Sequence, residues 1–215
     1  MTPTQNDTAL VRELVNLQSA GYGLNYAVYR LRNDITCSDD AYYTGRDGDL
    51  FIRATKEQVG NAEAIKIASN LPKCANALTE FAKAQAKVNA IAKKIEMLEA
   101  NYDAQKWSRF FLVVSSAGHI HAHMGCHTCN KGHRPTSFTL FPSLSGCTTD
   151  EAVARLGSAL CSVCFPEAPV AHREQMKISQ RAAEELKNTG DESAFDEVIA
   201  KANARAAKKL AKAGA

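Results

Sequence analysis

Two C-x-x-C pairs, Cys126/Cys129 and Cys161/Cys164, stand 31 residues apart. This arrangement constrains the chain more than any other feature. A C-x-x-C turn offers two sulfurs from one tight loop, and two such loops complete the tetrahedron of soft ligands that zinc prefers. Gly125 lets the chain curl before the first pair, and Asn130-Lys131-Gly132 after it tolerates left-handed backbone. The four cysteines Cys126, Cys129, Cys161 and Cys164 are therefore read as one structural zinc site. An iron–sulfur cluster is the alternative that cysteine ligands alone leave open. A redox dithiol fits less well, because a thioredoxin-like site has a single pair beside a βαβ pattern.

The remaining thiols are Cys37, Cys74 and Cys147. Seven is an odd number, which argues against a disulfide framework. Cys147 reads as a spare thiol, and Cys37 and Cys74 as small core or surface residues. The N-terminus MTPTQNDTAL has neither a basic start nor an apolar segment. It does not read as a signal peptide, so the cytoplasm is the expected compartment. The longest apolar run, Phe110 to Val114, falls far short of the roughly 20 residues that span a bilayer, so no membrane association is expected.

Around the first pair lies the string GHIHAHMGCHTC, Gly118 to Cys129. On a strand, His119, His121 and His123 share one face and Ile120, Ala122 and Met124 the other. The row of imidazoles either stands beside the zinc loops on a half-exposed face or holds a second, catalytic metal. Catalytic zinc usually works with a nearby carboxylate. The stretch 108–171 offers only Asp150, Glu151 and Glu167, and the first two belong to a helix start. The first reading is therefore preferred, with His119 and His121 as neighbours of the ligands or substitutes for one of them.

The stretch Trp107 to Pro169 resembles a family of small proteins encoded by phages of actinobacteria. The likeness rests on Trp107, Arg109 to Val113 (RFFLV), Gly118 to His121 (GHIH), Met124, Cys126, Cys129, Leu144 to Gly146 (LSG), Leu160-Cys161, Cys164 to Pro166 (CFP) and Ala168-Pro169. The resemblance covers under a third of the chain. It implies a phage-borne zinc module with helical flanks and carries no activity with it. Similar members have small polar residues at the positions of Ala122 and His123, which leaves His119 and His121 as the more telling pair.

The expected fold class is α+β and α-rich, in three regions. Residues 1–106 form a helical N-terminal region, 107–170 a zinc-binding β-module, and 171–215 C-terminal helices. Asn6, Asp7 and Thr8 are candidate N-caps for a helix to Ala20, which Gly21-Tyr22-Gly23 should break. Residues 37–49 read as a loop, and Lys56 to Asn70 as a helix. A long helix spans 72–103, opened by Pro72. Its stripe of Leu78, Phe81, Ala84, Val88, Ile91, Ile95, Leu98 and Tyr102 needs a partner helix, either the chain's own N-terminal helices or a second copy in a coiled-coil homodimer. Short strands are expected at 109–115, 119–124 and 137–141. Thr148 and Glu151 form a capping box for a helix running into Cys161. Two C-terminal helices follow, at about 173–187 and 192–212, and removal of residues 192–215 should leave the zinc module folded.

The formal charge is +3, from 26 basic and 23 acidic side chains. Four zinc-bound thiolates would lower it by about two. Bulk charge is thus no argument for nucleic acid. Lys201, Arg205, Lys208 and Lys212 recur on one face of the last helix, a candidate dock for phosphates or for an acidic protein surface. Lys106, Trp107, Arg109, Phe110 and Phe111 mix basic and aromatic residues that can stack on bases, although a strand entering the core explains them better. Together these features predict a non-enzymatic zinc protein of the host-cell cytoplasm whose partner is a host protein. A DNA- or RNA-binding accessory factor is the first alternative. A zinc-dependent hydrolase or nuclease using His119 and His121 is the second.

Overall fold

A computed structural model of the protein describes residues 1–115, 118–131, 135–168, 180–193, 195–197, 200 and 204. The fold is α+β and dominated by helix. It opens with α1 (Pro3–Thr36), followed by β1 (Tyr42–Thr44), β2 (Leu50–Ile52), β3 (Gln58–Val59) and α2 (Asn61–Ser69). A 3₁₀ turn at Pro72–Cys74 leads into α3 (Ala75–Gln105). Then come β4 (Phe111–Val113), β5 (Ile120–His121), β6 (Phe138–Leu140), α4 (Thr149–Leu156) and α5 (Gln180–Thr189). No described helix is long and apolar enough to cross a membrane.

The chain forms two compact units, one of residues 16–95 and one of residues 1–15 with 96 onward. In the unit of residues 16–95, β1, β2 and β3 form an antiparallel meander. Leu31, Ile35, Leu50, Val59, Ala64, Ala68, Cys74 and Ala77 make its core. The loop expected at 37–49 thus holds β1, and the helix expected from Lys56 starts only at Asn61, after β3. The β1–β2 turn carries Gly48 at φ +79, and Arg32 braces it through Asp49 Oδ1 at 2.7 Å and the Gly48 carbonyl at 3.0 Å. Arg30 of α1 reaches Glu80 of α3 at 2.7 Å.

The predicted break at Gly21-Tyr22-Gly23 does not occur. Ala20, Ala27, Leu31 and Ile35 are all buried and keep one helical phase through the glycines. Burial of that face outweighs the roughly 1 kcal/mol that each interior glycine costs a helix. The helix also starts earlier than expected. Thr2 and Gln5 cap each other reciprocally, Gln5 N donating to Thr2 Oγ1 at 3.2 Å and Thr2 N to Gln5 Oε1 at 3.0 Å, with Pro3 in the first turn. Asn6 and Asp7 are not caps: both are buried within the other unit.

In that other unit β4 is the central strand, flanked by β5 and β6, all antiparallel. Phe110, Leu112, Ile120, Phe141, Leu144, Phe165 and Leu186 are among the residues of its core, and Phe195 closes on Phe141 edge-on at 5.3 Å. The expected capping box on α4 is present, with Thr148 and Glu151 bonded in both directions. The helix does not reach Cys161: it ends at Leu156, and a 3₁₀ turn at Gly157–Ala159 follows, Gly157 having φ +46. Phe195 belongs to the same core as Leu112 and Ile120, so removal of 192–215 would take a buried side chain out of the module. On α3, Ile91 and Leu98 of the apolar stripe are buried within the single chain and the other members are half-buried.

Candidate metal centre

The centre is assembled around β5. Its two residues pair with β4 on one side, Phe111 opposite His121 and Leu112 opposite Ile120. On the other side Ile120 makes a parallel bridge to Leu160, and Cys161 N donates to the Ile120 carbonyl at 2.9 Å. The second cysteine pair is thereby laid against the strand that leads into the first. The approach to β5 depends on Gly118, where an added Cβ would lie 2.0 Å from the Val113 carbonyl oxygen. Only glycine fits that crossing.

After β5 the chain turns through Met124-Gly125 into the first pair. Cys129 N donates to the Cys126 carbonyl at 2.9 Å and closes the loop. Asn130 leaves it at φ 57, in the left-handed region expected for this segment. The Asn130 side chain then clamps the exit. Its Oδ1 accepts from Thr136 N, and the Asn130 backbone N–H donates to Thr136 Oγ1, both at 2.8 Å. In the second pair Phe165 N donates to the Cys161 carbonyl at 2.9 Å, and the buried Phe165 ring anchors the loop in the core.

These loops bring His121, Cys126, Cys161 and Cys164 together, with one ligand atom of each lying within 4.8 Å of all the others. Cys126 Sγ is 4.0 Å from Cys161 Sγ, and Cys164 Sγ is 3.6 Å from His121 Nδ1. Cys129 stands at the edge of the group, its Sγ 3.4 Å from His121 Nε2. Metal–sulfur bonds of about 2.3 Å and metal–nitrogen bonds of about 2.0 Å give a tetrahedron with edges of about 3.8 Å between sulfurs and about 3.6 Å between sulfur and nitrogen. The Cys126–Cys161 and Cys164–His121 separations lie close to those edges and all four donors lie within 4.8 Å of one another, so the group could hold a single ion.

The electrostatics favour a cation as well. Burial and the neighbouring imidazoles of His119 and His123 push His121 down to about 4, which keeps its ring neutral and free to ligate. Burial pushes the Cys164 thiol up to about 12, and the sulfurs of Cys126 and Cys161 add to this against a hydrogen bond from the Ala122 backbone. Burial and the same two neighbours raise Cys129. At Cys126 burial is outweighed by hydrogen bonds, first from the Thr128 side chain at 3.2 Å, and the thiol is held below its usual range. Sulfurs that raise one another's pKa repel as thiolates, and a bound divalent ion converts that repulsion into attraction.

No family model, curated protein or solved structure matches the chain.

The other histidines separate. His119 is half-buried with its ring 4.5 Å from that of His121, whereas His123 and His127 are exposed. His121 is fully buried, so the row does not form the half-exposed strand face expected of it: β5 ends at His121 and the chain bends away at Ala122. Cys147 is half-buried against the core, Cys74 is buried and Cys37 is exposed, all as free thiols. Lys201, Arg205, Lys208 and Lys212 lie outside the described residues, as do His133 and Arg134.

A buried polar network beside the centre was not legible in the sequence. The fully buried Asp7 carboxylate accepts from Arg109 Nη2 at 2.7 Å, Trp107 Nε1 at 2.9 Å and Ser145 Oγ at 2.6 Å. Arg109 also donates to Glu99 at 2.8 Å and lies 3.5 Å above the Tyr102 ring. Of the residues singled out for base stacking, Trp107 and Arg109 are thus engaged internally and Phe110 is buried, whereas Lys106 is exposed. A reciprocal T-x-x-Q start at Thr2 would have removed Asp7 from the list of caps. Nothing local, however, signals a pairing across 102 residues.

Proposed function

We propose that this chain is a phage-encoded, zinc-stabilised binding protein without enzymatic activity, acting on a host protein or regulatory complex. The observation that carries the reading is the closed donor set: three thiolates and one imidazole fill a tetrahedral ion and leave no position for substrate. Soft sulfur with imidazole in that geometry selects zinc among common divalent ions. Such an ion supplies folding free energy by fixing its ligands. Of the three carboxylates in 108–171, Glu151 serves the fold, accepting from Thr148 N at 2.7 Å as part of the α4 cap. The phage assignment rests on the resemblance of Trp107 to Pro169 alone. Exposed Met124 and Val163, one beside each cysteine pair, offer apolar contact to a partner.

The test uses the full-length chain as bait in host lysate treated with nuclease. The reading expects zinc-dependent capture of a protein that survives nuclease and is lost in a Met124→Asp/Val163→Asp variant retaining its zinc. Capture abolished by nuclease would transfer the function to nucleic acid, and metal-dependent cleavage of DNA or RNA by the purified chain would make it an enzyme.

A further inference from the structure

The donors around the centre number one more than a tetrahedral ion takes. Cys126, Cys161 and Cys164 would supply three vertices. Two groups compete for the fourth. His121 comes from β5, is fully buried, and places Nδ1 3.6 Å from Cys164 Sγ. Cys129 comes from the loop that already supplies Cys126, is half-buried, and places Sγ 3.4 Å from His121 Nε2 and 4.0 Å from Nδ1. The two competitors therefore lie within one tetrahedral edge of each other, at the same side of the cluster. Their chemistry differs. With His121 the centre carries one net negative charge, and with Cys129 it carries two. A soft ion favours the all-sulfur set.

We propose that the fourth coordination position is doubly provided: His121 holds it at rest, and Cys129 takes it when the imidazole withdraws or a softer metal enters. This rests on the metal-binding part of the functional reading and is independent of the partner. The exchange makes and breaks one metal–ligand bond each, with the proton of the incoming thiol released to solvent. It predicts that neither residue is individually required for metal retention.

The experiment loads cobalt(II) into the full-length chain and into Cys129→Ser, His121→Ala and the double variant. Stoichiometry and the thiolate-to-metal absorption band, whose intensity follows the number of bound sulfurs, are read for each. Cys129→Ser should keep one ion per chain with an unchanged band. His121→Ala should also keep one ion, with a band stronger by about a third as three sulfurs become four. The double variant should bind at least about tenfold more weakly than either single variant. Loss of the ion in Cys129→Ser, or an unchanged band in His121→Ala, would overturn the proposal. Should His121→Ala not fold, cadmium in the unaltered chain decides the matter: a four-sulfur shell supports the exchange, and a shell of three sulfurs and one nitrogen contradicts it. A chain that binds no metal in any form would overturn the metal reading itself.

Discussion

At the scale of single residues, the buried side chain with most at stake outside the metal centre is Asp7. Its carboxylate is fully buried and engaged by Arg109, Trp107 and Ser145. Removing one partner of a buried ion pair costs about 3–5 kcal/mol, and Arg109 would keep only the partly exposed Glu99. Asp7→Ala should therefore lower stability by about that amount in denaturant unfolding. A loss under about 1 kcal/mol would mean that Arg109 finds another partner or water. Arg109 also stacks on Tyr102, so Arg109→Lys should recover little of the network, because a compact ammonium supplies neither the fork nor the flat face. The metal ligands present the opposite case for legibility. Three of the four residues in the closed set are readable from C-x-x-C spacing alone, because the chemistry of the pair is local. His121 is legible only as a neighbour or substitute ligand alongside His119, because its place depends on where β5 ends, and the alternating histidines give the same pattern for a strand of two residues as for one of six.

At the scale of elements, the long helix α3 and the capped helix α4 are legible, and the full length of α1 and the strands of the unit of residues 16–95 are not. β1, β2 and β3 are two or three residues long, too short for a period-two pattern to rise above the turn residues around them. The misjudged helix break has a different cause. Gly21 and Gly23 are genuine helix weakeners by propensity, but the buried series Ala20, Ala27, Leu31, Ile35 holds the helix through them. A Cβ added at either glycine meets nothing within 4 Å. Gly21→Ala and Gly23→Ala should each raise stability by about 0.4–1 kcal/mol, read as a higher denaturant midpoint. Destabilisation by either would show that the face beyond those glycines is covered in solution. On α4, the reciprocal Thr148–Glu151 cap was readable because all its parts lie within four residues. The end of that helix at Leu156 was not, since Gly157 acts through a left-handed turn that packing selects.

At the scale of the whole molecule, an ion held by the Cys/His cluster would compensate for a sheet that is too small. β4, β5 and β6 contribute three, two and three residues, and so short a sheet needs additional support. Part of that support is Phe195, which is fully buried against Phe141. Phe195→Ala should cost about 3–5 kcal/mol, and a chain ending at residue 191 should be destabilised to a similar degree. Unchanged stability in either would show that the C-terminal segment is dispensable to the core. An ion bound by His121, Cys126, Cys161 and Cys164 would tie β5 to both cysteine loops, and structural zinc contributes on the order of 10 kcal/mol in small modules. The measurement that tests this account most directly is X-ray absorption at the metal edge of the purified, full-length chain, with metal content determined on the same sample. The account predicts one zinc per chain in a four-coordinate shell of sulfur at about 2.3 Å with one nitrogen at about 2.0 Å. A shell dominated by oxygen and nitrogen, or a well-folded chain without stoichiometric metal, would contradict it.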